Sequence, residues 1–114
     1  MKATLTLLLL VTLTPAFAQA ATPDETALYE RAIRLVDEGR YAPARLALQT
    51  LLNVYPETGL KADVDAALLY LAGNARLANR QPAPARLAFQ TLINLYPESA
   101  YAERARKAIE ESRR

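Results

Sequence analysis

The stretch Tyr41–Gly59 reads YAPARLALQTLLNVYPETG, and 41 residues later Pro82–Ala100 reads PAPARLAFQTLINLYPESA. Aligned without a gap, 13 of the 19 positions are identical. Five of the six differences exchange residues of similar character: Leu48 for Phe89, Leu52 for Ile93, Val54 for Leu95, Thr58 for Ser99 and Gly59 for Ala100. A chain of 114 residues that carries one segment twice is built from a duplicated unit, each copy burying its apolar face against its neighbour.

The unit is helical. Asp24 is the expected N-cap of a first helix, with Leu28, Ala32, Leu35 and Val36 as its apolar stripe and Gly39 as its end. Pro43 opens the next helix, where the missing N–H costs nothing. Leu46, Ala47, Leu51, Val54 and Tyr55 carry that helix to Pro56, which stops it. The second copy follows the same plan. Asp63–Asn79 is apolar on nearly every side, as expected of a helix covered on both flanks. Pro84 opens its partner, whose apolar positions are Leu87, Phe89, Leu92, Ile93, Leu95 and Tyr96, and Pro97 closes it. Ser99 caps a fifth helix, apolar along Tyr101, Ala105 and Ile109 and charged elsewhere, which suits a terminal cap. No segment alternates apolar and polar residues at period two, so the class is all-α.

Small residues mark where helices approach. Ala32 and Ala44 are placed to face each other across the first hairpin, and Gly73 and Ala85 across the second. Leu48 and Phe89 fill the space one turn beyond. Small at the crossing, large beyond it and proline at the exit (Pro56, Pro97) is the pattern of the tetratricopeptide repeat. The chain resembles that family from about Thr26 to Pro97, as a short α-solenoid of two hairpins plus a capping helix. The expected units are 24–58, 63–99 and a cap at 100–112. Gly39, Tyr41, Ala44, Leu48, Leu51, Tyr55 and Pro56 match G-x-Y-x-x-A-x-x-x-[LF]-x-x-L-x-x-x-Y-P. With the link Pro97-Glu98-Ser99-Ala100-Tyr101-Ala102, they are similar to a periplasmic subgroup. That subgroup includes the outer-membrane assembly lipoproteins and the Tol-Pal coordinator. The second copy departs from the motif, with Pro82 for Tyr41 and Arg80 for Gly39, so its turn is expected to be atypical. The offset of 41 exceeds the usual 34 and falls within HEAT-type spacing. The proline-closed second helix and the small-residue crossing favour the tetratricopeptide form.

The N-terminus points to export. Lys2, the apolar run Leu5–Leu13 and the small-residue stretch AFAQAA form a secretory signal over 1–20, with cleavage after Ala18 or Ala20. The run falls short of the roughly 20 apolar residues that a membrane-spanning helix needs. This leaves a domain at 21–114, periplasmic or else secreted, without disulfides because there is no cysteine. The missing cysteine also argues against a lipid anchor of the lipoprotein kind. Formal charge is +2, or +1 without Lys2, which gives no whole-domain case for nucleic acid.

Chemistry is sparse. With no histidine and no cysteine, the usual zinc ligands and thiol or imidazole nucleophile activation are missing, and no phosphate loop occurs. No enzyme, metal or cofactor is expected. Binding is. The resemblance implies that first helices of successive units line a concave groove for a peptide or a partner helix. By register, Tyr29 and Ile33 in the first unit and Tyr70 and Asn74 in the second lie on that face. The competing expectation is that both tyrosines pack as core. The resulting reading is an interaction module or adaptor of the cell envelope. The alternative is a structural homodimer that buries exposed repeat faces.

Overall fold

The computed structural model describes residues 20–114. The expected signal segment 1–20 lies outside the described residues apart from Ala20. Five helices are arranged in order: α1 (Pro23–Asp37), α2 (Tyr41–Val54), α3 (Lys61–Ala78), α4 (Pro82–Leu95) and α5 (Ala100–Ser112). No strand occurs among the described residues. The helices α1 and α2 form one hairpin and α3 and α4 a second, and α5 packs against both helices of the second. The fold is all-α and solenoid-like.

The first cap corrects the expectation. Thr22, not Asp24, is the N-cap: its hydroxyl accepts from the Glu25 N–H at 3.3 Å, and Glu25 Oε2 accepts from the Thr22 N–H at 3.0 Å. That reciprocal pair satisfies two orphan donors at once, and Pro23 takes the first helical position, where its missing N–H is harmless. Asp24 is left to add negative charge to the first turn.

Both hairpin turns close the same way, although one has glycine and the other does not. In the first, the Gly39 N–H reaches Val36 O at 3.0 Å and the Arg40 N–H reaches Leu35 O at 2.9 Å. In the second, the Arg80 N–H reaches Leu77 O at 3.0 Å and the Gln81 N–H reaches Arg76 O at 2.9 Å. This is the Schellman arrangement, which requires a left-handed residue. Gly39 supplies it at φ +76°, and Arg80 is forced to φ 59°. The second turn is therefore ordinary in path and strained in residue choice.

The second helices begin earlier than expected, at Tyr41 and Pro82, so that Pro43 and Pro84 occupy third positions. The first α-helical bonds are those of Ala44 to Arg40 and Ala85 to Gln81, both 3.1 Å, so neither proline is asked for a donor. At the exits, Thr58 N–H bonds Tyr55 O and Ser99 N–H bonds Tyr96 O, each at 3.0 Å. Pro56 and Pro97 sit at the second position of those turns, where their fixed φ fits.

Ala32, Ala44, Leu48, Gly73, Ala85 and Phe89 are all buried. The two crossings are not copies of one another. A Cβ on Gly73 would overlap three carbons of the Phe89 ring, so the larger side chain on α4 occupies the room that glycine leaves on α3. In the first hairpin the same two places hold Ala32 and Leu48. The ring on α4 takes the space of the methyl group that α3 lacks. Leu46, Val54, Leu87 and Leu95, expected to continue the apolar stripes, are instead 59–69% exposed, because no neighbouring helix covers those positions of α2 and α4.

The seven residues by which 41 exceeds 34 lie between the hairpins. They lengthen the link and give α3 an added first turn, so that it starts at Lys61 rather than Asp63 and reaches 18 residues against 15 in α1. That turn is used: Asp65 pairs with Lys61 at 3.0 Å and accepts from Tyr96 Oη at 3.3 Å. Lys61 is held above its usual pKa by the Asp65 carboxylate. Tyr96 is pushed up too, by burial first and then by Asp65.

The candidate protein-binding face

The first helices of each unit, α1 and α3, are joined on one side of the molecule by α5. On the 34-residue spacing, α5 continues that row: Arg104 corresponds to Tyr70, and Ala108 to Asn74. Between α3 and α5 lies an open depression of about 420 Å³, lined by Tyr70, Asn74, Leu77, Arg104, Lys107, Ala108, Glu111 and Ser112.

Of the four expected groove residues, the structure brings two into this depression. Tyr70 and Asn74 line it, half-buried, and Asn74 Nδ2 donates to Tyr70 O at 3.0 Å, which fixes the amide against its own helix. Tyr29 and Ile33 are half-buried against the core and are not among its lining residues. Tyr29 has its phenol pushed above the ordinary pKa by burial and, less, by Asp63.

Tyr70 belongs to an aromatic cluster. Its ring centroid lies 6.0 Å from Phe89 and 5.1 Å from Tyr101, both tilted, within the range in which aromatic pairs attract. Tyr101 is buried, its Oη has no hydrogen-bond partner, and burial drives its pKa far up, with Tyr29 adding to the effect. Above the cluster lies Arg104, its guanidinium 5.0 Å from the Tyr101 centroid and 5.9 Å from that of Tyr70. Its position there is consistent with attraction between a cation and ring faces. Arg104 also donates to Asp37 Oδ1 at 2.9 Å, reaching from α5 to the last residue of α1. Asp37 raises its pKa.

Arg104 and Lys107 are not singled out by the sequence, which marks the fifth helix only as charged away from its apolar stripe. The signal is present in the spacing. The duplicate is offset by 41, but the step from α3 to α5 is 34, and only the shorter step aligns Tyr70 with Arg104.

The repeat-packing residues stand behind this face. Ala32, Ala44, Leu48, Gly73, Ala85 and Phe89 are buried, with Gly73 against the Phe89 ring, and Pro56 and Pro97 follow the ends of the second helices. Among the described residues, no group of three or more acidic side chains is placed to hold a metal ion, and no helix is long and apolar enough to cross a membrane.

A family model described as tetratricopeptide repeat matches residues 66–99. Those residues are a tetratricopeptide repeat. They take in most of α3, the whole of α4 and the proline turn after it. The repeat begins after the seven-residue excess, which accounts for the long offset without a HEAT-type unit. Comparison with curated proteins and with solved structures returned no match. Repeats of this kind serve in protein–protein interaction, and the repeat supports that role for this chain.

Proposed function

We propose that the chain is an exported interaction module of the cell envelope that holds a peptide or helix of a partner protein along the α1–α3–α5 face. The observation that carries this reading is the depression between α3 and α5. It offers a half-buried tyrosine with a polar tip, an apolar floor from Leu77 and Ala108, and charged groups on its rim. Such a mixture suits a bound segment that buries apolar side chains and is oriented by a few polar contacts. The signal-like N-terminus motivates the envelope assignment, with the periplasm ahead of secretion. The Tyr-Pro exits of α2 and α4 motivate kinship with the periplasmic assembly and Tol-Pal subgroup. No catalytic constellation, cofactor or nucleic-acid site forms part of the proposal, and neither does a lipid anchor.

Self-association is the second reading, favoured by the exposed Leu46, Val54, Leu87 and Leu95 on α2 and α4. The solenoid ends speak against an end-to-end version. Ala67, Leu68 and Leu71, on the helix that α2 covers, correspond in α1 to Thr26, Ala27 and Glu30, which are more exposed. On α5, Lys107 and Glu111 stand where α3 has Gly73 and Leu77. Stacking a second copy on either end would bury charge, which is costly without a partner.

A photo-crosslinking side chain at position 70 tests the proposal in intact cells. Capture of a defined envelope protein, lost from a crosslinker at exposed Leu46, is the expected result. Capture only of the chain itself, and equally from Leu46, would favour self-association instead.

A further inference from the structure

The two junctions of the solenoid are unequal. α4 and α5 meet over a long stretch, whereas α2 meets α3 over a much shorter one, and α1 touches α3 less than α3 touches α5. The second hairpin and α5 thus form one block, to which the first hairpin is joined by the 55–60 link and a limited apolar contact. Near the link, the Thr58 side chain is the main influence holding the Glu25 carboxyl below the usual range. Further off, among the described residues, one ion pair joins the first hairpin to the block: Asp37–Arg104.

We infer that this pair is a reversible latch, and that the first hairpin pivots on the 55–60 link to close or open the concave face. The inference rests on the proposed binding face and states how access to it is regulated. The latch spans from α1 to α5, and its cation lies over the rings of Tyr70 and Tyr101. Its two side chains are 51% and 44% exposed, and it is made by a single contact of 2.9 Å. An exposed pair of that kind adds a factor of about five at most to the closed form, and the limited apolar contact between α2 and α3 supplies the rest. When it opens, Arg104 leaves Asp37 and the gap between α1 and α5 widens over Tyr70. Within the block, Tyr96–Asp65 and the aromatic cluster keep α3, α4 and α5 together.

Spin-label distance measurement on the protein as its host produces it tests this without any ligand, since the chain has no native cysteine to interfere. One label pair, Arg34→Cys with Arg106→Cys, spans the latch. A control pair, Asn79→Cys with Arg106→Cys, stays inside the block. Asp37→Asn is expected to broaden and lengthen the first distance distribution and leave the second unchanged. Raising salt from about 0.1 M to about 1 M, which shortens the screening length from about 10 Å to about 3 Å, should broaden the unaltered latch in the same way. A first distance indifferent to both Asp37→Asn and salt, or a control pair that broadens equally, would overturn the latch. Because no partner is involved, that failure leaves the binding face standing. A failed capture from position 70 would conversely leave the pivot intact.

Discussion

The two hairpins have nearly the same second helix and solve the same packing problem with different atoms. The first has Ala32 and Leu48 at the places where the second sets Gly73 against Phe89, with the ring in the space of the absent methyl. The first turns on Gly39 at φ +76° and the second on Arg80 at φ 59°. The first is joined loosely to α3, and the second is packed along α5. The backbone path has been kept while side-chain volume, turn strain and junction area have drifted. What the two copies preserve is the sum of volumes at a crossing rather than the residue at each site.

The comparison can be broken most forcefully by emptying each crossing. Phe89→Ala should cost about 3–5 kcal/mol and Leu48→Ala about 2–5 kcal/mol in denaturant unfolding, both side chains being fully buried. A loss below about 1 kcal/mol at Phe89 would mean that the second crossing is not packed as described. Next in size, Ala44→Leu and Ala85→Leu should each cost about 1–3 kcal/mol by pushing the hairpins apart. Unchanged melting temperatures would count against the crossing in that unit.

The turns give a smaller effect of opposite sign in the two copies. Arg80→Gly should stabilise by about 1 kcal/mol, because a left-handed conformation is strained for a residue with a Cβ. Gly39→Ala should destabilise by a similar amount even though space is open around it. A gain at Gly39 or a loss at Arg80 would show that the turns are not alike.

The smallest effect concerns the cap. The Glu25 carboxyl is depressed chiefly by Thr58 and then by Thr22, so its contribution is fully present above the unfolded-state value and is lost as pH falls through the folded one. Glu25→Gln should therefore lower the melting temperature at neutral pH, and the difference should shrink as the solution is acidified below the ordinary glutamate range. A difference that grew on acidification would reverse the assigned sign.

The legibility of this architecture in the sequence divides by physical cause. Helix class, hairpin order and crossing residues are legible because duplication, proline placement and small-residue spacing are written along the chain. Thr22 escapes notice as a cap because Asp24 is itself a good cap former; only the reciprocal Thr22–Glu25 spacing separates them. The exposure of Leu46 and Leu87 is hidden because helical periodicity marks apolar positions without saying which a neighbour covers. The candidate site is half legible. Tyr70 and Asn74 emerge from register, whereas Arg104 and Lys107 require the shorter step from α3 to α5. The Asp37–Arg104 contact joins residues 67 apart and depends on how three helices stack, which no local pattern encodes.

The complementary fit of Gly73 and Phe89 in the second hairpin is tested most directly by a double-mutant cycle on Gly73→Ala and Phe89→Leu, read by equilibrium unfolding. Gly73→Ala alone should cost about 1–3 kcal/mol by overpacking, and in the Phe89→Leu background it should cost almost nothing or stabilise. Costs that simply add, within about 0.5 kcal/mol, would show that the two side chains do not share one space, and the complementary crossing would have to be abandoned.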